Sequence, residues 1–155
     1  MSDSVNRPAG MPAPVVSPLN DGMWRAAAAG QLAVQRCQEC GAHRYPPADG
    51  CYRCTSTRWE WVSLPGTGIV YSYIWIPDRA RAGARAETSA AAGAGDAFYN
   101  VAVITLDGTE GEPVRMLSNV VNAWNIDDLH VGQRVEMTGV PFADDLALPC
   151  FRTVA

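Results

Sequence analysis

The stretch CQECGAHRYPPADGCYRC, residues 37–54, holds two Cys-x-x-Cys pairs, Cys37/Cys40 and Cys51/Cys54. A two-residue gap turns the chain enough for both sulfurs of a pair to reach one ion. Thiolates suit zinc, a borderline-soft ion that takes four ligands and imposes no other geometry. Gly41 directly follows the first pair, where backbone amides commonly turn back towards the sulfurs. The spacing predicts a closed, tetrahedral site of four cysteines. A catalytic zinc keeps one position open for water or substrate, so four thiolates point to a structural ion. The surrounding module has too few residues for a core of its own, whereas zinc-finger peptides gain about 10–16 kcal/mol from metal binding. Iron held for electron transfer fits the same ligands. His43 lies within the loop and could replace a cysteine, an exposed loop histidine being the alternative.

The 155-residue chain suits one domain, or a small module joined to a domain of about 90 residues. Apolar residues make up 48% of it, enough for a real core. No apolar run approaches the roughly 18–20 residues of a membrane span. The opening MSDSVNRPAGMPAPVVSP lacks the basic-then-apolar order of a secretory signal. Residues 1–17 are therefore expected as a disordered or loosely docked arm, and the cytoplasm as the location. In a reducing compartment, paired Cys-x-x-Cys points to metal rather than disulfides.

The net charge is −4, and every basic residue is Arg. Up to Val62 six Arg face five acids; beyond it six Arg face eleven. Binding a nucleic-acid backbone requires a basic surface, which the acidic C-terminal portion does not suggest. A local patch can oppose net charge, so a single-strand binder stays among the alternatives.

Asn20 or Asp21 can cap a helix that Gly30 ends, with Met23, Trp24, Ala27 and Ala28 on one face. Met23 and Trp24 would pack on the chain's own body or dock a partner. Trp59-Glu60-Trp61-Val62 alternates as a strand, and its tryptophans share a face that covers the ribbon and its junction with the next unit, or stacks on a ligand. From Leu64 the pattern is all-β, with strands expected at 69–76, 99–106, 114–121, 134–140 and 148–153 and a short turn or helix at 124–129. The expected fold is mainly β: an N-terminal helix and a small four-cysteine zinc ribbon over 18–62, then a five-stranded OB-type barrel over 63–155. A small open sandwich is the alternative. Between the first two barrel strands, residues 79–97 are Ala- and Gly-rich without a large apolar side chain and read as a long flexible loop.

Candidate catalytic groups are sparse. Cys150, between Pro149 and Phe151, is expected in the core, and His130 is the one histidine of the barrel portion. Nothing in the sequence brings the two together. The pairs Asp127-Asp128 and Asp144-Asp145 suit solvated turns. No Ser-His-Asp set or phosphate-cradling glycine motif is present, so no catalytic residue is assigned.

The order of features is specific: Gln35-Arg36-Cys37-Gln38-Glu39-Cys40-Gly41, then Pro46-Pro47, Cys51-Tyr52-Arg53-Cys54, a Trp-Glu-Trp strand, and Gly66-Thr67-Gly68-Ile69-Val70-Tyr71-Ser72. Val131-Gly132-Gln133-Arg134-Val135-Glu136 and Leu148-Pro149-Cys150-Phe151-Arg152 follow. From Pro18 to Ala155 this resembles the DUF35 family, a rubredoxin-like zinc ribbon joined to an acyl-CoA-associated OB-fold domain. The resemblance implies a non-catalytic accessory subunit, in a hetero-oligomer with a thiolase-fold enzyme: a thiolase, an acyltransferase or a retro-aldolase. Such a subunit stabilises its partner and can help form the acyl-CoA channel. A partner of the MaoC-like hydratase type is the alternative. Arg79, Arg81 and Arg85 lie in a loop that departs from the usual family pattern; they would contact CoA phosphates or stay solvated.

Overall fold

The computed structural model describes residues 5–8, 10–79 and 98–155. Helix α1 spans Asp21–Ala28 and is followed by a ribbon of three strands, β1 (Leu32–Cys37), β2 (His43–Arg44) and β3 (Trp59–Leu64). Five further strands follow: β4 (Thr67–Pro77), β5 (Phe98–Leu106), β6 (Arg115–Ser118), β7 (Arg134–Ala143) and β8 (Leu146–Thr153). A 3-10 turn, Ile126–Asp128, lies between β6 and β7.

The ribbon is antiparallel in the order β2-β1-β3, and the second sheet runs β6-β5-β4-β7-β8. A parallel bridge from Val120 to Phe151 brings the chain beyond β6 against β8. Two backbone bonds fix it, Phe151 N–H to the Asn119 carbonyl at 2.9 Å and Val121 N–H to the Phe151 carbonyl at 2.8 Å. The sheet thereby closes into the five-stranded barrel expected from the strand count. β6 ends earlier than its sequence suggests because Asn119–Val121 turn from β5 to bond β8. A register shift at Tyr71 interrupts β4 against β5, as a bulge does where a barrel strand bends.

Barrel and ribbon share one core. Val70, Ile104, Met116, Val135 and Phe151 from the barrel pack with Leu32 and Val34 of β1 and Met23 of α1. The helix comes close enough that a Cβ on Gly139 of β7 would collide with the Ala27 carbonyl. Met23 is buried in this core, and Trp24 sits half-buried with its ring edge-on to Phe142 at 5.7 Å. The chain's own body, rather than a partner, covers Met23. Trp59 and Trp61 meet edge to face at 5.6 Å, and Trp61 packs on the shared core against Gly22 of α1. Asn20 occupies the N-cap position of α1 but makes no side-chain capping bond; its Oδ1 accepts from Ser17 N–H and Trp24 Nε1–H instead.

Two buried asparagines brace the segment that closes the barrel. The Asn100 amide brackets Val120, donating to its carbonyl and accepting from its N–H, both at 2.8 Å. Asn6, within the segment expected as an arm, is fully buried and donates to the carbonyls of Ala123 at 2.6 Å and Phe98 at 3.0 Å. Replacing Asn100 by the similarly sized Leu leaves both Val120 backbone groups without these partners. The expected loss is about 1–3 kcal/mol, read from the urea midpoint at unchanged slope.

Candidate metal centre

Cys37 ends β1, and Cys40 follows one tight turn later; Cys51 and Cys54 repeat that geometry. Gly41 N–H bonds the Cys37 carbonyl at 3.0 Å, and Thr55 N–H bonds the Cys51 carbonyl at 2.9 Å. The next residues match too, with Cys37 N–H on the Ala42 carbonyl and Cys51 N–H on the Ser56 carbonyl, both at 2.9 Å. Both turns require a left-handed residue after the second cysteine. Gly41 supplies it at φ +74° without strain, whereas Thr55 holds φ +62°. A β-branched residue there is costly, and the surrounding bonds must hold it in place.

The four sulfurs lie within 4.8 Å of one another. Cys37 and Cys54 are 3.6 Å apart, as are Cys40 and Cys51. Four sulfurs at about 2.3 Å from a tetrahedral zinc would be separated by about 3.8 Å. The donor set and its spacing fit a structural zinc. Cys37, Cys40, Cys51 and Cys54 would hold it, and it would cross-link two loops that lack a core. His43 stands outside the cluster, half-buried on β2 opposite Arg36.

Backbone amides prepare the sulfurs for charge. The amides of Cys54 and Arg53 draw the Cys51 thiol down to about 6, and the amide of Cys40 lowers Cys37. At Cys54 the Ser56 amide works in the same direction, but burial and the three neighbouring thiols raise it to about 12. Four thiols this close cannot all ionise unless a cation joins them. A thiol lowered on folding favours the folded state above its ordinary value and loses that advantage as pH falls through its lowered one. Protons also compete with metal for sulfur. Zinc retention is therefore expected at neutral pH and progressive release on acidification, measured as chelator-accessible zinc against pH.

The second knuckle grips the barrel. Tyr52 O–H and Arg53, between the two cysteines, both bond the Glu112 carboxylate in the β5–β6 loop, the Arg53 contact at 3.0 Å. The Glu112 bond pushes the Tyr52 hydroxyl up to about 12. A polar cleft of 590 Å³ lies at this seam, with His43, Arg53, Glu110 and Glu112 on its walls. The sequence holds no local signal for Glu112, sixty residues from Tyr52.

Other candidate residues are dispersed. Cys150 is buried, which raises its thiol; among the described residues the polar groups acting on it are Arg7, Ser118 and the Asn119 amide, none of them a base. His130 is exposed, and its backbone N–H bonds Gln133. Asp128 accepts from the amides of Trp124 and Asn125, both at 2.8 Å, closing the 3-10 turn. Asp145 sits at φ +58° in the β7–β8 turn. Arg79 is exposed just after β4, while Arg81, Arg85 and the rest of the 80–97 segment lie outside the described residues. Among the described residues no helix is long and apolar enough to cross a membrane.

Residues 24–60 match the family model of the ChsH2 rubredoxin-like zinc ribbon domain. Residues 61–140 match that of the ChsH2 C-terminal OB-fold domain. A curated relative from Thermomonospora curvata, described as a probable enoyl-CoA hydratase alpha subunit, is 32% identical over 141 residues, 91% of this chain. The chain spans 39% of that relative's length. Among solved structures, a chain of the Ltp2-ChsH2(DUF35) aldolase superimposes with a TM-score of 0.68 at 29% identity, covering 91% of this chain and 98% of that one. A DUF35 protein of unknown function from Sulfolobus solfataricus shares the fold, with a TM-score of 0.52 and 18% identity over 79% of this chain and 78% of that one.

Proposed function

Because the chain belongs to the ChsH2 family of zinc-ribbon and OB-fold proteins, within the DUF35 group, we propose that it is a non-catalytic accessory subunit of an acyl-CoA-processing complex. Its partner is a thiolase-fold enzyme, which it stabilises and whose acyl-CoA channel it helps to form. The observation that carries this is the likeness, over 98% of that chain's length, to a component of the Ltp2-ChsH2(DUF35) aldolase. The chemistry of the chain agrees. Its four thiolates would occupy every position on zinc, and its fifth thiol is buried with no base acting on it among the described residues. Arg79, with Arg81 and Arg85, is the candidate contact for CoA phosphates. An all-thiol ligand set suits a reducing compartment such as the cytoplasm.

The Thermomonospora curvata relative favours a second reading, in which the partner is a MaoC-like enoyl-CoA hydratase. One assay series addresses both. The isolated chain is incubated with acyl-CoA, then with a thiolase-fold enzyme or a hydratase from the same cell. No turnover alone, and activity that rises with added chain to a plateau, is the expected result. Turnover of acyl-CoA by the isolated chain would refute the accessory role.

A further inference from the structure

The strand β5, FYNVAVITL, is largely apolar on both faces, with Asn100 inward and Thr105 outward as its polar positions. Ala102, Ile104 and Leu106 point into the barrel core and are buried. Val101 and Val103 alternate with them and face outward, half-exposed. Antiparallel strands with one solvated face normally alternate apolar and polar residues, and strands apolar on both faces are covered on both. The neighbours extend the outer face. Ile74 of β4 lies opposite Val101 and is 59% exposed, and Leu117 of β6 lies opposite Val103 and is 58% exposed. Ile69 and Tyr71 continue it along β4, 38% and 52% exposed. Among the described residues nothing covers this face, and segment 80–97 holds no apolar side chain larger than Ala.

One charge stands on the face. Arg115 of β6 is exposed, lies opposite Thr105, and rests over the Tyr71 ring with its guanidinium carbon 3.9 Å from the centroid. The arginines of β7 and β8 are matched by carboxylates, Arg134 by Asp107 and Arg152 by Glu136. Arg115 has a ring instead, which orients the guanidinium and leaves its N–H fork able to meet a carboxylate.

We propose that the outer face of β4, β5 and β6 is the surface on which the partner enzyme docks, with an aliphatic patch of the partner against Ile74, Val103 and Leu117 and a partner carboxylate on Arg115. The proposal rests on the accessory-subunit reading and adds the face and its chemistry. A second copy of this chain is the poorer occupant, since its matching face would bring Arg115 towards like charge and two chains of net charge −4 together.

The test places a photo-activatable benzoylphenylalanine at Leu117 of the full chain in its native cell. A control carries it at Val15, which is 85% exposed in the N-terminal segment. The expected adduct from position 117 joins an acyl-CoA enzyme at a peptide with aliphatic residues beside Asp or Glu. Leu117→Asp and Arg115→Glu should each weaken association with that purified enzyme by about tenfold or more, with zinc content and circular dichroism unchanged. If a variant loses zinc or structure, the adduct decides. Should the enzyme co-purify with the wild-type chain but give no adduct at 117, or should 117 join a second copy, the docking face is overturned and the accessory role stands. If no acyl-CoA enzyme co-purifies and no adduct forms, both fall.

Discussion

Cys51→Ser should abolish zinc binding and unfold the ribbon, the largest effect expected of any single change in this chain. Cys51 is buried, and its sulfur stands 3.6 Å from that of Cys40. A serine hydroxyl stays protonated at neutral pH and is a poor replacement for a thiolate ligand. The loss does not stay local. β1, which ends at Cys37, contributes Leu32 and Val34 to the core shared with the barrel, and Tyr52 and Arg53 hold the barrel through Glu112. With about 10–16 kcal/mol of metal binding at stake against a total stability of about 5–15 kcal/mol, the variant should be mostly unfolded at physiological temperature. Elemental analysis should find about one zinc per wild-type chain and almost none in the variant, which should also fail to bind its partner. A variant that loses zinc yet unfolds like the wild type and binds its partner with full affinity would contradict the structural role.

Phe151→Ala should follow in size. Phe151 is the largest fully buried side chain, and its backbone forms both bonds that close the barrel. Removing a buried phenylalanine costs about 3–5 kcal/mol, partly lost transfer energy and partly cavity. Here the closing bridge gives the surroundings little freedom to collapse, so the upper half of that range is expected. Urea unfolding followed by tryptophan fluorescence measures it. A loss below about 2 kcal/mol would mean that the barrel closes without this side chain.

Local features were legible in the sequence, and long-range ones were not. The cysteine cluster follows from spacing alone, because each knuckle is set by a few consecutive residues. The barrel strands follow from β-branched runs between glycines. The Val120–Phe151 closure does not, since it joins two segments with no pattern to pair them, and it shortens the third barrel strand to Arg115–Ser118. Asn6 carries no signal either: a polar residue in a proline-rich segment looks solvated until Phe98 and Ala123 offer it carbonyls. Met23 was readable as apolar and helical, but only the position of α1 against β8 decides that it meets the chain's own core. At β5 the sequence was ambiguous for a physical reason. An apolar run marks a strand covered on both faces, and the described residues supply one cover.

Native co-purification tests most directly whether the chain works with a partner enzyme. A tagged full chain is isolated gently from its own cell, and the companions are identified by mass spectrometry and weighed as an intact complex. The expected result is a stable hetero-oligomer with a thiolase-fold acyl-CoA enzyme, or with a hydratase if the second reading holds. Recovery of the chain as a free monomer, zinc-loaded and without such an enzyme, would contradict it.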